Sequence, residues 1–188
     1  MALDILKELI KAVAIIDECL IKWGCPQLRS QITVDFNNRF KSRVGDATWK
    51  NGSQKGAIRL SSPLWSHMSP EDQRNTIVHE AAHIVQYYQY HEARRSNFLA
   101  HRYVPKPKPH GVEWKVLMKQ MGEAPERTHD IDSCALGISK KRQRYQAICK
   151  CTTHVFGPIV AKRMKTNKIY YCRLCKEPIR AETLKEVI

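Results

Sequence analysis

Thr76-Ile77-Val78-His79-Glu80-Ala81-Ala82-His83-Ile84 is the stretch on which the reading of this chain turns. Just upstream, Ser69-Pro70-Glu71-Asp72 carries the marks of a helix start, with Ser69 as N-cap, Pro70 at the first helical position and Asp72 returning a carboxylate as in a capping box. The pattern predicts a helix running through the two histidines to about Tyr90, with Ile77, Ala81, Ile84 and Tyr88 as its buried face and the small pair Ala81-Ala82 allowing close packing. On a helix, residues four apart lie about one turn apart on one face. The imidazoles of His79 and His83 can therefore reach a single zinc ion, while Glu80 lies within reach of a water held by that ion. Zinc brings its water toward neutrality and polarises a carbonyl, so Glu80 need only accept a proton and pass it on, as a general base. The ordinary alternative, two surface histidines on an amphipathic helix, fits the capped start and apolar face less well.

A catalytic zinc needs a third protein ligand and an open fourth position. His91, His101, His110 and His129 are the candidates. His91 falls two turns beyond His83 on the same helix, too far along the axis to share the ion, and His101 sits in a polar, basic stretch. That stretch ends in Val104-Pro105-Lys106-Pro107-Lys108-Pro109, whose alternating prolines forbid a helix and favour an extended strap. The strap delivers His110 to a new helical pattern, Trp114, Leu117, Met118 and Met121, closed by Gly122. His110 is the favoured third ligand, and Glu113 one turn later reads as an exposed first-turn acid.

Toward the N-terminus, Leu6, Leu9, Ile10, Val13, Ile16 and Leu20 recur at helical spacing before Gly24 and Pro26, which predicts a core-packing helix over about residues 3–23. Asp4, Lys7, Glu8, Lys11, Asp17, Glu18 and Lys22 interrupt this segment, so it reads neither as a membrane span nor as a leader. A cytoplasmic protein is expected, nucleoid-associated if bacterial, without a membrane partner. Ile32, Val34 and Phe36 alternate with polar residues, and Ala47-Thr48-Trp49 and Ile58-Arg59-Leu60 flank Asn51-Gly52, which predicts a small antiparallel sheet ahead of the histidine helix.

With these segments in view, Thr76 to His83 followed by Pro109-His110-Gly111-Val112-Glu113-Trp114 resembles the SprT-like zinc metalloprotease family, the SprT/Spartan group. Gly45-Asp46-Ala47-Thr48-Trp49 and Ile58-Arg59-Leu60-Ser61 resemble the sheet before that family's catalytic helix. The resemblance implies an α+β, zincin-like domain, zinc on His79, His83 and His110, Glu80 as catalytic acid/base, and protein substrates bound or crosslinked to DNA. The long Lys/Pro-containing segment between His83 and His110 departs from the family pattern and reshapes the entrance to the cleft.

Composition then shifts. Of the formal net charge of +14, most lies between Lys140 and Ile188, where there are 13 Lys/Arg and 3 Asp/Glu. The shift predicts a catalytic domain over residues 1–140 and a basic module over 141–188. Seven cysteines in a chain expected to stay reduced call for metal ligands before disulfides. Cys151-x2-His154 and Cys172-x2-Cys175 are two short chelating pairs separated by a basic, hairpin-sized interval, the arrangement of a zinc ribbon. Cys149 can substitute for His154 in an all-cysteine site; His154 is preferred because it restores the two-residue spacing. Two zinc ions per chain are expected, one catalytic and one structural.

Lys162, Arg163, Lys165 and Lys168, with Tyr170 and Tyr171, suit neutralisation of phosphates and stacking on unpaired bases, so single-stranded DNA is the expected partner of the tail. The tyrosines can equally be strand residues packing the ribbon. Two other readings compete. In one, the chain is a non-catalytic, zinc-containing nucleic-acid-binding adaptor. In the other it is a metal-dependent nuclease, which the lack of a carboxylate cluster disfavours.

Overall fold

A computed structural model describes residues 3–50, 52–96, 104–126, 131–140 and 143–187. The chain divides into two compact units, residues 1–139 and 140–188.

In the first unit, helix α1 (Ile5–Lys22) is started by Asp4, whose carboxylate accepts the Lys7 backbone N–H at 3.2 Å. It buries Ala12, Ile16, Cys19 and Leu20, whereas Leu6 and Ile10 are 70% and 63% exposed, so the apolar stripe read from spacing is turned relative to the face that packs. A 3-10 turn over Pro26–Gln31 leads into β1 (Ile32–Asn37), β2 (Gly45–Lys50) and β3 (Lys55–Ser61). Their order is β1-β3-β2, with β2 antiparallel and β1 parallel to β3. The expected hairpin is present, but the sheet is mixed, not wholly antiparallel. Alternation fixes which face of β1 is buried and says nothing of the direction of its partner. β2 is left as an edge strand beside the long helix.

A short turn of helix, α2 (Ser62–Trp65), precedes α3 (Pro70–Ser96). The Asp72 N–H donates to Ser69 Oγ at 3.1 Å, the expected N-cap bond, while the Asp72 carboxylate accepts from the Ser69 hydroxyl at 2.7 Å and not from its backbone N–H as in a capping box. Every residue of α3 from Thr76 to Val85 except His83 is buried, together with Gln86, and α3 packs on α1, on β2 and on α4 (Val112–Gln120). The core between them contains Ile16, Leu20, Leu28, Ile58, Leu60, Ile84 and two fully buried tryptophans, Trp65 and Trp114. Side chains of this size each remove apolar surface worth about 1.5–3 kcal/mol from water, which is why the helix carrying the histidines is held firmly.

The second unit is a three-stranded antiparallel sheet in the order β5-β4-β6, built from β4 (Arg144–Ile148), β5 (Thr153–Phe156) and β6 (Arg180–Val187). The interval expected to be hairpin-like contains a helix, α5 (Pro158–Lys165), with Pro158 at its first turn and Ala161 and Met164 buried. The buried cluster is small, consisting of Ala147, Cys149, Met164, Cys172 and Ile179. Among the described residues no helix is long and apolar enough to cross a membrane.

Candidate metal centres

The first centre joins one helix to one turn. His79 and His83 project from α3, and His110 Nε2 lies 3.1 Å from the Nε2 atoms of both. Three zinc-bound imidazole nitrogens in a tetrahedral set are separated by about 3.4 Å, from Zn–N distances of about 2.0–2.1 Å. The spacing here is that of ligands converging on one ion, slightly contracted. His110 is presented by a turn in which Gly111 N–H donates to Lys108 O at 2.8 Å, with Pro109 and His110 as the central residues and His110 at a φ of +58°. Proline first and a positive φ second is type II turn chemistry. A left-handed backbone on a histidine costs about 1–2 kcal/mol, so the turn holds its ligand at some local expense. Gly111 is needed for a different reason: a Cβ there would sit 2.9 Å from Lys108 O. The strap leading to the turn is tied down by buried Gln86, whose Nε2 donates to Lys108 O at 3.3 Å.

Trp114 is the platform beneath all three ligands. Its indole lies 4.7 Å from the His79 ring, 4.8 Å from His110 and 5.8 Å, stacked, from His83, and its Nε1–H donates to His79 O at 3.3 Å. Helical spacing marked Trp114 as core; that the same ring orients the histidines is visible only in three dimensions. Burial, and then the charge of His110, bring His83 down to about 4, so its ring is neutral and its lone pair available.

Glu80 is 7% exposed and borders the same cleft, a cavity of about 400 Å³ that all three histidines line. Burial, and then the carboxylate of Asp46, push Glu80 up to about 8, with Arg43 acting the other way. A dication between the imidazoles would likewise favour the ionised carboxylate. Asp46 in β2 is in turn held by Arg59 through two hydrogen bonds of 2.8 and 2.7 Å and by Arg43 at 3.2 Å, and the Arg43 guanidinium lies over Phe40. Gly45 leaves space for Glu80: a Cβ at that position would stand 3.1 Å from both Cγ and Oε1 of the carboxylate. Gly45 and Asp46 are legible in the sequence only as part of the sheet, and Arg43 carries no signal there; a Gly-Asp pair on the strand beside the histidine helix is the available signal.

Of the other histidines, His91 is not part of the cluster, His101 and His129 lie outside the described residues, and Glu113 is exposed as expected.

The second centre brings four thiols together: Cys149, Cys151, Cys172 and Cys175. Sulfur separations of 3.5 Å (Cys149–Cys151), 3.7 Å (Cys151–Cys172) and 3.8 Å (Cys149–Cys175) match the about 3.8 Å edge of a tetrahedron with Zn–S bonds of about 2.3 Å. Cys149, the alternative to the preferred His154, is the residue that stands within this set of four. In the β4–β5 pairing His154 stands opposite Ala147, on the strand and not in the turn, and its Nε2 lies 3.2 Å from Cys149 Sγ, as a neighbour of the sulfur cluster. Desolvation raises the Cys149 thiol, but the Cys151 N–H, His154 and Thr152 outweigh it and bring Cys149 down to about 5. The Cys175 backbone N–H, ahead of other contacts, lowers Cys172. Cys151 moves the other way, raised to about 12 by hydrogen bonding with Cys175 and Cys149, so the four sulfurs share protons that a bound cation would displace. By contrast burial pushes Cys19 up to about 12 and Cys25 to about 11, which marks them as inert core thiols. Tyr170 packs against the small core, as a strand residue of the ribbon would, while Tyr171 is 63% exposed.

An α+β unit in which three convergent imidazoles and a buried carboxylate border one open cleft defines a candidate metal-site protein. The chain belongs to the SprT-like family, whose model matches residues 18–135, a span that contains both β2 and all three histidines. It is similar to Protein SprT of Glaesserella parasuis (28% identical over 127 residues, 66% of this chain and 69% of that one). It is also similar to Protein SprT of Pasteurella multocida (29% over 125 residues, 65% of each) and of Vibrio atlanticus (24% over 140 residues, 72% of each).

Proposed function

We propose that the chain is a zinc-dependent metallopeptidase of the SprT/Spartan type with a zincin-like catalytic unit, acting on proteins bound or crosslinked to DNA. The observation that carries this reading is the meeting of three Nε2 atoms beside a buried carboxylate at an open cleft. His79, His83 and His110 would hold the ion, which supplies Lewis-acid polarisation of the scissile carbonyl and makes water acidic enough to attack it. Glu80 takes the proton from the attacking water and returns it to the leaving amine, the role for which a carboxyl with an elevated proton affinity is suited. Asp46, clamped by Arg59, fixes the strand that faces Glu80, and Trp114 fixes the ring planes of the ligands. The free edge of β2 offers unpaired backbone groups to an extended peptide.

The second unit would be a zinc ribbon, its set of four thiolates standing in for a core too small to hold itself. Its exposed Lys162, Arg163, Lys165 and Lys168, with the projecting Tyr171, would engage single-stranded DNA and bring the peptidase to DNA-bound substrates in the cytoplasm or on the nucleoid.

The deciding experiment is hydrolysis of a DNA-binding protein by wild type and Glu80→Gln, each zinc-loaded, with and without single-stranded DNA. Cleavage lost in Glu80→Gln and raised by DNA is expected. Cleavage independent of DNA would remove the targeting role, and no cleavage by a fully zinc-loaded chain would leave a binding adaptor.

A further inference from the structure

Helix α3 continues ten residues beyond Gln86, its last buried position, to Ser96. This overhang is neither apolar nor an ordinary solvated end. Tyr87, Tyr90, His91 and Arg94 recur at spacings of three, four and seven and therefore form one stripe. The stripe, Thr48 and Trp49 of β2 and Lys106 of the strap enclose a groove of about 510 Å³. The groove adjoins the metal-site cleft, and Ala47 and Tyr87 line both.

Its chemistry is uniform. Among the described residues no acidic side chain lines it, and Glu92, the one acid in the overhang, is paired with Arg95. Tyr87, Tyr90, His91 and Trp49 are half-buried, so each has a ring partly exposed and partly fixed by packing. Arg94 donates to Tyr90 Oη at 2.8 Å with its guanidinium 5.5 Å from the ring centre, which sets the cation at the rim beside the aromatic surface. Burial first, then the charges of Arg94, Arg95 and Lys106, hold His91 below its usual range, so that ring is flat and neutral at neutral pH.

Flat rings alternating with cations, with no competing carboxylate, complement a chain that carries a π-face and an anion in every unit. We propose that this groove is a second binding site for single-stranded nucleic acid, located on the first unit and contiguous with the metal-site cleft. Bases stack on the Trp49, Tyr87, Tyr90 and His91 rings and phosphates meet Arg94 and Lys106. Duplex bases stack on one another and present no free face, so the groove selects unpaired strands. Stacking on an aromatic is worth about 1–3 kcal/mol per base and tolerates any sequence. An acidic peptide would satisfy the cations and leave most of the ring surface unused. The groove shares Ala47 and Tyr87 with the cleft, but the proposal rests on its own rings and cations, and its test requires no hydrolysis.

The full-length, zinc-loaded chain is titrated against a fluorescein-labelled deoxythymidine oligomer of about 12 nucleotides, containing 5-iododeoxyuridine, across a salt series. Wild type is compared with Arg94→Glu/Lys106→Glu, both changes being at exposed positions, with a thermal melt to verify folding. Irradiation and peptide mass spectrometry then locate the crosslinks. The expected result is crosslinking to Trp49, Tyr87, Tyr90 or His91, a loss of affinity of about tenfold or more in the double variant, and a log–log salt slope shallower by about 1.4 for two lost phosphate contacts. Crosslinks confined to residues 140–188 with unchanged affinity and slope would overturn the proposal. So would unchanged oligonucleotide binding accompanied by weaker binding of a labelled peptide, which would make the groove a peptide subsite.

Discussion

Replacing Gly45 by alanine tests the packing of the strand against Glu80 in the proposed catalytic apparatus. The added methyl would lie 3.1 Å from Glu80 Cγ and Oε1 and 3.3 Å from Thr76 Cγ2. Glu80 is 7% exposed and Thr76 is 1% exposed, so neither can swing into solvent to make room. Overpacking of this kind costs about 1–3 kcal/mol, whereas a glycine-to-alanine change at an ordinary backbone angle returns about 0.4–1 kcal/mol by restricting the unfolded chain. The net expectation is a destabilisation of about 1 kcal/mol and a melting temperature lower by about 2–4 °C. The effect on chemistry should be larger, because the methyl must displace the carboxylate by a few tenths of an ångström or more, and a misplacement approaching 1 Å can cost about a hundredfold. A fall in kcat of about tenfold to a hundredfold is expected, with zinc content and KM near wild type. Gly52→Ala, where nothing lies within 4 Å of the new methyl, provides the control. Melting curves, metal analysis and peptide hydrolysis would be measured on both proteins. If Gly45→Ala matched Gly52→Ala in kcat, the placement of Glu80 against β2 would not matter to the reaction and the reasoning would fail.

Trp114→Ala should cost about 3–5 kcal/mol as a buried aromatic truncation and weaken zinc binding at the three-histidine site. Trp114→Phe, losing chiefly the hydrogen bond to His79 O, should cost nearer 1 kcal/mol; denaturant melts and zinc titrations would distinguish them, and equal losses would argue against the platform role. Metal analysis should show Cys149→Ser dropping one zinc equivalent while His154→Ala keeps both, and the reverse outcome would restore the histidine as ligand. Chelation should make residues 140–188 sensitive to protease before residues 1–139, because among the described residues the core cluster of the second unit has five buried members; simultaneous digestion would refute this. Hydrogen bonding to Arg74 holds the Glu18 carboxyl below its usual range. A depressed folded-state pKa contributes stability above the unfolded value near 4.5, which is lost as pH falls through the folded value. Glu18→Gln should thus cost about 0.2–1 kcal/mol at neutral pH and progressively less in acid, and a penalty independent of pH would contradict it.

Local signals were legible where one stretch of chain decides the outcome. The Ser69 cap, the continuation of α3 through His79 and His83, and the proline strap ending at His110 all depend on residues near one another, and their chemistry could be read in place. Features set by distant partners were not legible. Leu6 and Ile10 have the same spacing as Ile16 and Leu20, and only the packing of α1 on α3 decides which of them face inward. The parallel pairing of β1 with β3 depends on where the chain travels between them. Cys149 and not His154 falls within the four-sulfur cluster because two-residue spacing describes groups on one turn, whereas this cluster is closed from a hairpin and a second turn more than twenty residues later. Trp114 looked like any core residue because sequence shows that a ring is buried and not what lies against it.

The placement of His110 on a separate turn, 27 residues after His83, has a bearing on the birth of the protein. A ribosome adds about 5–20 residues each second, so the first two histidines are made about one to five seconds before the third, and the helix bearing Trp114 later still. Until then the chain offers an ion two nitrogens from a single helical face, with no platform behind them. The three-histidine centre can be completed only after the surrounding unit has been synthesised. If the proposed peptidase activity is confirmed, such timing would keep it from acting on the nascent polypeptide and its unfolded neighbours on the same message.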